Sequence, residues 1–122
     1  MATLVVAALE KKVAKDTIDQ AHQKFGLDYV EVASALGVDR RTIFRYRSDG
    51  SVPSPEVRAR LGKIREIAHL LDAVFAEPDA QLEWLYSPVP LLRGHCPIDL
   101  IREGELDDVL SVLAGVQTGA AS

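Results

Sequence analysis

Apolar residues along this chain recur at intervals of three and four, never in the alternation of a strand. Val5, Val6, Leu9 and Val13 open the pattern. Ile18, Ala21 and Phe25 carry it to Gly26, where a first helix should stop. Asp28 is placed to cap a second helix, Tyr29 to Leu36, and Glu31 three residues later completes a capping box. Gly37-Val38 reads as a turn, and Asp39 as the cap of a short third helix over Arg40 to Arg47. After the turn cluster Ser48-Asp49-Gly50-Ser51, Ser54-Pro55 starts a long helix: the serine caps, and proline in the first helical position gives up no hydrogen bond. Val57, Leu61, Ile64, Leu71 and Phe75 mark its apolar side, and Pro78 is read as its end. Asp79 to Tyr86, Pro97 to Arg102 and Leu106 to Leu113 are predicted as shorter helices. Between them lie a stiff link, Ser87-Pro88-Val89-Pro90, a loop from Arg93 to Cys96 and a break at Gly104, and Gly115 to Ser122 reads as a loose tail. The fold class is all-α, with no internal repeat.

The spacing within Tyr29 to Ser48 is the most specific signal. Two helices joined by a tight turn need a small residue where they cross, and Ala33 is there; the turn needs tolerance of positive φ, and Gly37 is there. Val32, Leu36, Val38, Ile43 and Tyr46 fill the positions that such a unit buries. This is the pattern of a helix-turn-helix, whose second helix reads the major groove. With Ile43 and Tyr46 turned inward, Arg40, Arg41, Phe44 and Arg45 face out. Arginine can donate a bidentate pair to guanine, and an outward phenylalanine can touch a thymine methyl. Thr42 and Arg47 are expected at phosphates, with Arg58, Arg60, Lys63 and Arg65 as weaker candidates.

Charge sharpens this reading. The net charge is -4 over 122 residues, which spread evenly would argue against an anionic partner. It is segregated instead. Residues 1–38 carry -1, residues 39–65 carry eight basic and three acidic side chains, and residues 66–122 carry two basic and ten acidic. The middle of the chain suits nucleic acid and the C-terminal half does not, which points to two surfaces with two partners. With 48% apolar residues a core can form. The single Cys96 allows no internal disulfide, and the cytoplasm is the expected setting. Residues 1–8 lack the basic start of a secretory leader, and charge interrupts every apolar stretch before it reaches membrane-spanning length.

Enzyme chemistry is not expected. Adjacent His95 and Cys96 do not normally face each other as a base and nucleophile must. His22, His69 and Cys96 lack metal-ligand spacing, no phosphate-cradling glycine motif occurs, and no cofactor is expected.

The residues Ala33, Gly37 and Ile43-Phe44-Arg45-Tyr46 give the segment from about 16 to 70 a resemblance to the Xre family of repressors. Arg40 and Arg41 stand where small polar or amide side chains are commoner in that family. Further on, Trp84, Leu85, Pro88, Leu91, Leu92, Gly94, Pro97, Leu100, Gly104 and Val109 resemble the toxin-binding domain of the Xre/MbcA/ParS-like antitoxins, partners of RES-domain toxins. Here Arg93 takes the place of a second glycine, and His95-Cys96 that of small polar residues.

The resemblance implies an Xre-like helix-turn-helix bundle with an N-terminal helix and a long linking helix over residues 1–77, and a small helical toxin-binding domain over 78–122. It further implies an antitoxin that inhibits an NAD-degrading RES toxin without itself binding NAD, and that represses its own operon by binding operator DNA. Pro88, Leu91, Leu92, Arg93, His95 and Pro97 are the expected toxin contacts, since a stiff loop presents side chains with little ordering entropy. Trp84 is expected to pack in the core. A homodimer is expected on DNA, with the apolar first helix and the long helix as candidate surfaces, inside a larger toxin–antitoxin complex. The rival readings are a free-standing Xre-like repressor with a C-terminal dimerisation or effector domain, and a protein-binding adaptor that no longer binds DNA.

Overall fold

The computed structural model describes residues 2–48 and 50–119, leaving aside the side chains of residues 2 and 3. Asp49 of the predicted turn cluster and residues 120–122 of the predicted tail lie outside the described residues. Among the described residues the regular structure is entirely helical: α1 (Ala2–Phe25), α2 (Tyr29–Leu36), α3 (Arg40–Arg47), α4 (Pro55–Val74), α5 (Pro78–Leu85), a 3-10 turn (Pro90–Leu92), α6 (Pro97–Arg102) and α7 (Leu106–Thr118). No helix among them is long and apolar enough to cross a membrane. The chain divides into two compact units, Met1–Gly62 and Lys63–Ser122, so the division falls inside α4, whereas the sequence reading placed its boundary before Pro78.

In the first unit α1 packs against both α2 and α3. Among the described residues the buried side chains of α1 are Ala14, Thr17, Ile18, Ala21 and Phe25, one helical face. The expected continuous stripe from Val5 to Phe25 is not continuous. Val5, Val6, Leu9 and Val13 are exposed, because the five-residue step from Val13 to Ile18 turns the helix well off the first stripe. α2 begins as predicted: the Asp28 carboxylate accepts from the Glu31 N–H at 2.8 Å, and the Glu31 carboxylate accepts from the Asp28 N–H at 3.0 Å. It ends on Gly37, at φ 72°, with the Val38 N–H donating to the Ala33 carbonyl at 2.9 Å. Ala33 at the crossing, Val32, Leu36, Ile43 and Tyr46 are buried as the spacing requires, and Val38 is half-buried.

In the second unit α6 packs on α5 and α7, and α7 packs on the 3-10 turn. Ile98, Ile101, Leu106, Val109 and Leu113 form its centre together with Leu85 and Leu92. Two boundaries differ from the sequence reading. α4 stops at Val74, and Pro78 opens α5 as its first residue rather than ending the helix before it. Buried Gln81 takes up the joint, donating from Nε2 to the Phe75 carbonyl and to the Asp72 carboxylate, each at 3.0 Å. α7 continues through Gly115 to Thr118 and ends on Gly119 at φ 78°. A lone glycine costs a helix only about 1 kcal/mol against alanine, and buried Leu113 anchors the turn before it. Residues 115–118 are therefore helix, not loose tail.

Candidate functional site

α3 carries the first candidate surface. Arg40, Arg41, Phe44 and Arg45 are exposed, with Phe44 67% accessible, while Ile43 and Tyr46 hold the helix to the core at 1% and 5%. The start of α3 is fixed by Asp39, whose Oδ1 accepts from the Thr42 N–H at 2.8 Å and from the Thr42 hydroxyl at 2.7 Å. These two bonds hold the Asp39 carboxyl below its ordinary pKa, with smaller help from Arg41 and Arg45. Thr42 is thus spent on the cap.

Arg47 is also engaged within the unit. Its Nε donates to Asp19 Oδ1 on α1 at 3.0 Å, and its guanidinium lies 4.0 Å from the centre of the Tyr29 ring. The Tyr29 hydroxyl donates to the same Asp19 oxygen at 3.3 Å, and His22 stacks on Tyr29 with ring centres 4.4 Å apart. His22 donates from Nδ1 to the Leu27 carbonyl at 2.7 Å. One cluster therefore ties α1, α2 and the end of α3 together. Sequence reasoning placed Arg47 at a phosphate because nothing local marks a partner 28 residues away. Of the other basic candidates, Arg58 pairs with Glu10 and Lys63 with Asp107, and the Arg60 guanidinium lies against the Gly37 turn.

The second candidate surface is the loop around the 3-10 turn. The Val89 N–H donates to the His95 carbonyl at 3.1 Å, and the Gly94 and Leu92 N–H groups donate to the Val89 carbonyl at 3.0 and 2.9 Å. The Arg93 N–H donates to Pro90 and the His95 N–H to Leu92, each at 3.0 Å. The loop is closed by its own backbone. Leu92 at 4% and Pro97 are buried beneath it, so these two expected contacts are core positions. Pro88, Leu91 at 61%, Arg93 and His95 face out. Arg93 is the described non-glycine residue with positive φ, at 58°, next to Gly94 at 80°. A left-handed arginine is strained where glycine would not be. Against this loop lies a surface hollow bordered by Arg93, Leu91, Asp108 and Ser111. Trp84 is half-buried, tilted against Phe75 with ring centres 6.0 Å apart, and Cys96 is half-buried just ahead of α6.

Comparison with known proteins bears on the chain's family and on the second surface. Residues 70–119 match the model of the antitoxin Xre/MbcA/ParS C-terminal toxin-binding domain. The chain is 30% identical over 107 residues to the mycobacterial cidal antitoxin MbcA of Mycobacterium tuberculosis, covering 88% of this chain and 94% of that one. This chain belongs to the Xre/MbcA/ParS antitoxin family. A probable mycobacterial cidal antitoxin of M. tuberculosis is 29% identical over 116 residues, 95% of this chain and 98% of the relative. The crystal structure of the M. tuberculosis MbcT–MbcA toxin–antitoxin complex contains a chain that superposes with a TM-score of 0.61 at 30% identity, over 86% of this chain and 94% of that chain. The family's toxin-binding segment thus begins inside α4 and takes in α5, the closed loop, α6 and α7.

Proposed function

We propose that this antitoxin has two separable activities: the Lys63–Ser122 unit binds and inhibits a RES-type, NAD-degrading toxin, and α2–turn–α3 is a helix-turn-helix that represses the antitoxin's own operon. The observation that carries the first half is the closed loop. It lies within the segment matched to a toxin-binding domain and presents Pro88, Leu91, Arg93 and His95 on a backbone already locked in shape. Little conformational freedom is left to lose when it docks. The acidic balance of residues 66–122 keeps this unit off DNA, which leaves toxin and operator to separate surfaces. The chain itself performs no chemistry in this scheme; it acts by occupying the toxin.

The second half rests on α3. Arg40, Arg41, Phe44 and Arg45 are free to meet base edges, while Thr42 and Arg47 set the helix in place. A homodimer supplies the second half-site that one short helix needs for useful affinity. Its contact is the exposed apolar stripe of α1, where Val5, Val6, Leu9 and Val13 are 42–60% accessible. Val6, Leu9 and Val13 fall at the a and d spacing of a two-stranded coiled coil, with β-branched residues at a and leucine at d. The protein works in the cytoplasm, where both toxin and operator are found.

The test uses full-length variants in cells expressing the cognate toxin from a separate promoter. Arg41→Ala with Arg45→Ala should rescue growth and fail to repress the operon. Leu91→Asp with Arg93→Glu should repress and fail to rescue. A loop variant that still rescues growth would remove the loop from the inhibitory surface, and an arginine variant that still represses would remove α3 from DNA.

A further inference from the structure

We infer that Lys11 and Lys15 of α1 form a second DNA contact, a phosphate track that extends the face read by α3 onto the neighbouring sugar-phosphate backbone. The inference rests on the proposal that α3 binds DNA, and it adds a surface that the charge of the sequence conceals. α1 carries Lys11, Lys12, Lys15 and Lys24 against Glu10, Asp16 and Asp19, so its net charge of +1 does not mark out a strongly basic face. The fold gathers its cations. An open groove runs between α1 and the end of α3, bordered by Leu4, Ala8, Lys11 and Lys15 on one side and by Tyr46, Arg47 and Ser48 on the other.

Three observations point this groove at DNA. The first is its place in the fold. Arg41, Phe44, Arg45 and Ser48 recur at the three- and four-residue steps of one helical face, and Ser48 is the point where that face meets the groove. The second is its charge. Asp16, the carboxylate that borders the groove, is held by Lys12 at 2.8 Å, and Arg47 is held by Asp19. Lys11 and Lys15 have no ion pair or hydrogen bond among the described residues, so two ammonium groups remain unneutralised there. They stand four residues apart, about 6 Å along the helix axis, as a short row of charge.

The third is the layout of α1 around its axis. Successive residues are rotated by about 100°. The Leu4–Ala8–Lys11–Lys15 row therefore borders the core face on one side. The Val6–Leu9–Val13 stripe lies on the far side of the helix from it. A second copy docked on that stripe leaves both lysines open. Contacts of this kind position a protein on the duplex without reading sequence.

The experiment measures the affinity of the full-length protein for its own promoter and for a scrambled duplex, from about 50 to 200 mM salt. Removing one phosphate-binding cation should reduce the slope of log K against log salt by about 0.9. Lys11→Gln with Lys15→Gln should therefore flatten the slope by about 1.8 per bound chain. Its deficit against wild type should shrink about twelvefold across that salt range, equally on both duplexes. Lys24→Gln, on the opposite side of α1, should leave the slope as it is, which separates a local track from a change of net charge. If wild type binds the promoter selectively and the double variant keeps the wild-type slope, the track is wrong while α3 binding stands. If wild type binds neither duplex, both fall together. If Lys24→Gln lowers the slope as much per charge as the pair does, the track is again overturned.

Discussion

Removing Arg47 should cost the fold more than it costs DNA binding. The guanidinium makes a charge-assisted hydrogen bond to Asp19 at 3.0 Å and covers the Tyr29 ring at 4.0 Å. Such a bond, when well shielded, is worth about 1.5–3 kcal/mol. Here the Arg47 and Asp19 side chains are 36% and 28% accessible, so solvent screening brings the expected value to about 1 kcal/mol. The ring contact adds about 0.5–1 kcal/mol. Asp19→Ala should therefore destabilise by about 1–1.5 kcal/mol, since the longer Tyr29 hydroxyl bond is lost with it, and Arg47→Ala by about 1.5–2 kcal/mol, because it gives up the ring as well. The double variant should be little worse than Arg47→Ala alone, leaving a coupling energy of about 1 kcal/mol. Urea melts of the four proteins measure this directly, and thermal melts should show about 4 °C per kcal/mol. If the two effects add, with coupling near zero, the cluster does not hold α3. If Arg47→Ala also leaves stability intact while flattening the salt slope of DNA binding, Arg47 is a phosphate contact after all.

Three further outcomes follow from particular residues. Gly37→Ala should destabilise by about 1 kcal/mol or more in a denaturant melt, since the residue sits at φ 72° and a Cβ there would lie 2.9 Å from Arg60 Nη1; adding Arg60→Ala should relieve the clash and leave the backbone strain. Arg93→Gly should stabilise by about 0.5 kcal/mol by relieving a left-handed arginine, yet weaken toxin capture in a pull-down; Leu91→Ala should likewise spare stability and weaken capture, whereas Leu92→Ala should cost about 2–5 kcal/mol. The Asp39 cap should be fully present above its ordinary pKa of 3.8 and be lost as pH falls through its lowered folded value, so acid titration of wild type followed by circular dichroism should show a loss below about pH 4 that Asp39→Asn does not.

What the sequence made legible was local. The capping box at Asp28 and Glu31, the Gly37 turn and the Asp39 cap each lie within a few residues of the groups they satisfy, and each appears in the structure where spacing put it. Ile43 and Tyr46 on the inside leave Arg41, Phe44 and Arg45 outside for the same reason. Features that depend on distant pairing were not legible. The Asp19–Arg47 bond spans 28 residues, and the groove at Lys11 and Lys15 exists only because α3 ends beside α1. Position in the loop did not tell Leu91 from Leu92, since a 3-10 turn sends one outward and its neighbour into the core. Proline breaks a helix interior, so spacing alone makes Pro78 a stop, but the same chemistry makes it a good first residue. The boundary before Pro78 rested on that reading, whereas the compact units divide within α4.

The central claim is that the Lys63–Ser122 unit occupies a toxin through its closed loop. The direct measurement is NAD remaining over time in a reaction containing the purified cognate toxin, with stoichiometric full-length protein added. Wild type and Arg41→Ala with Arg45→Ala should both stop NAD loss, and Leu91→Asp with Arg93→Glu should leave it running at close to the rate of toxin alone. NAD loss that continues unchanged in the presence of stoichiometric wild type would contradict the account.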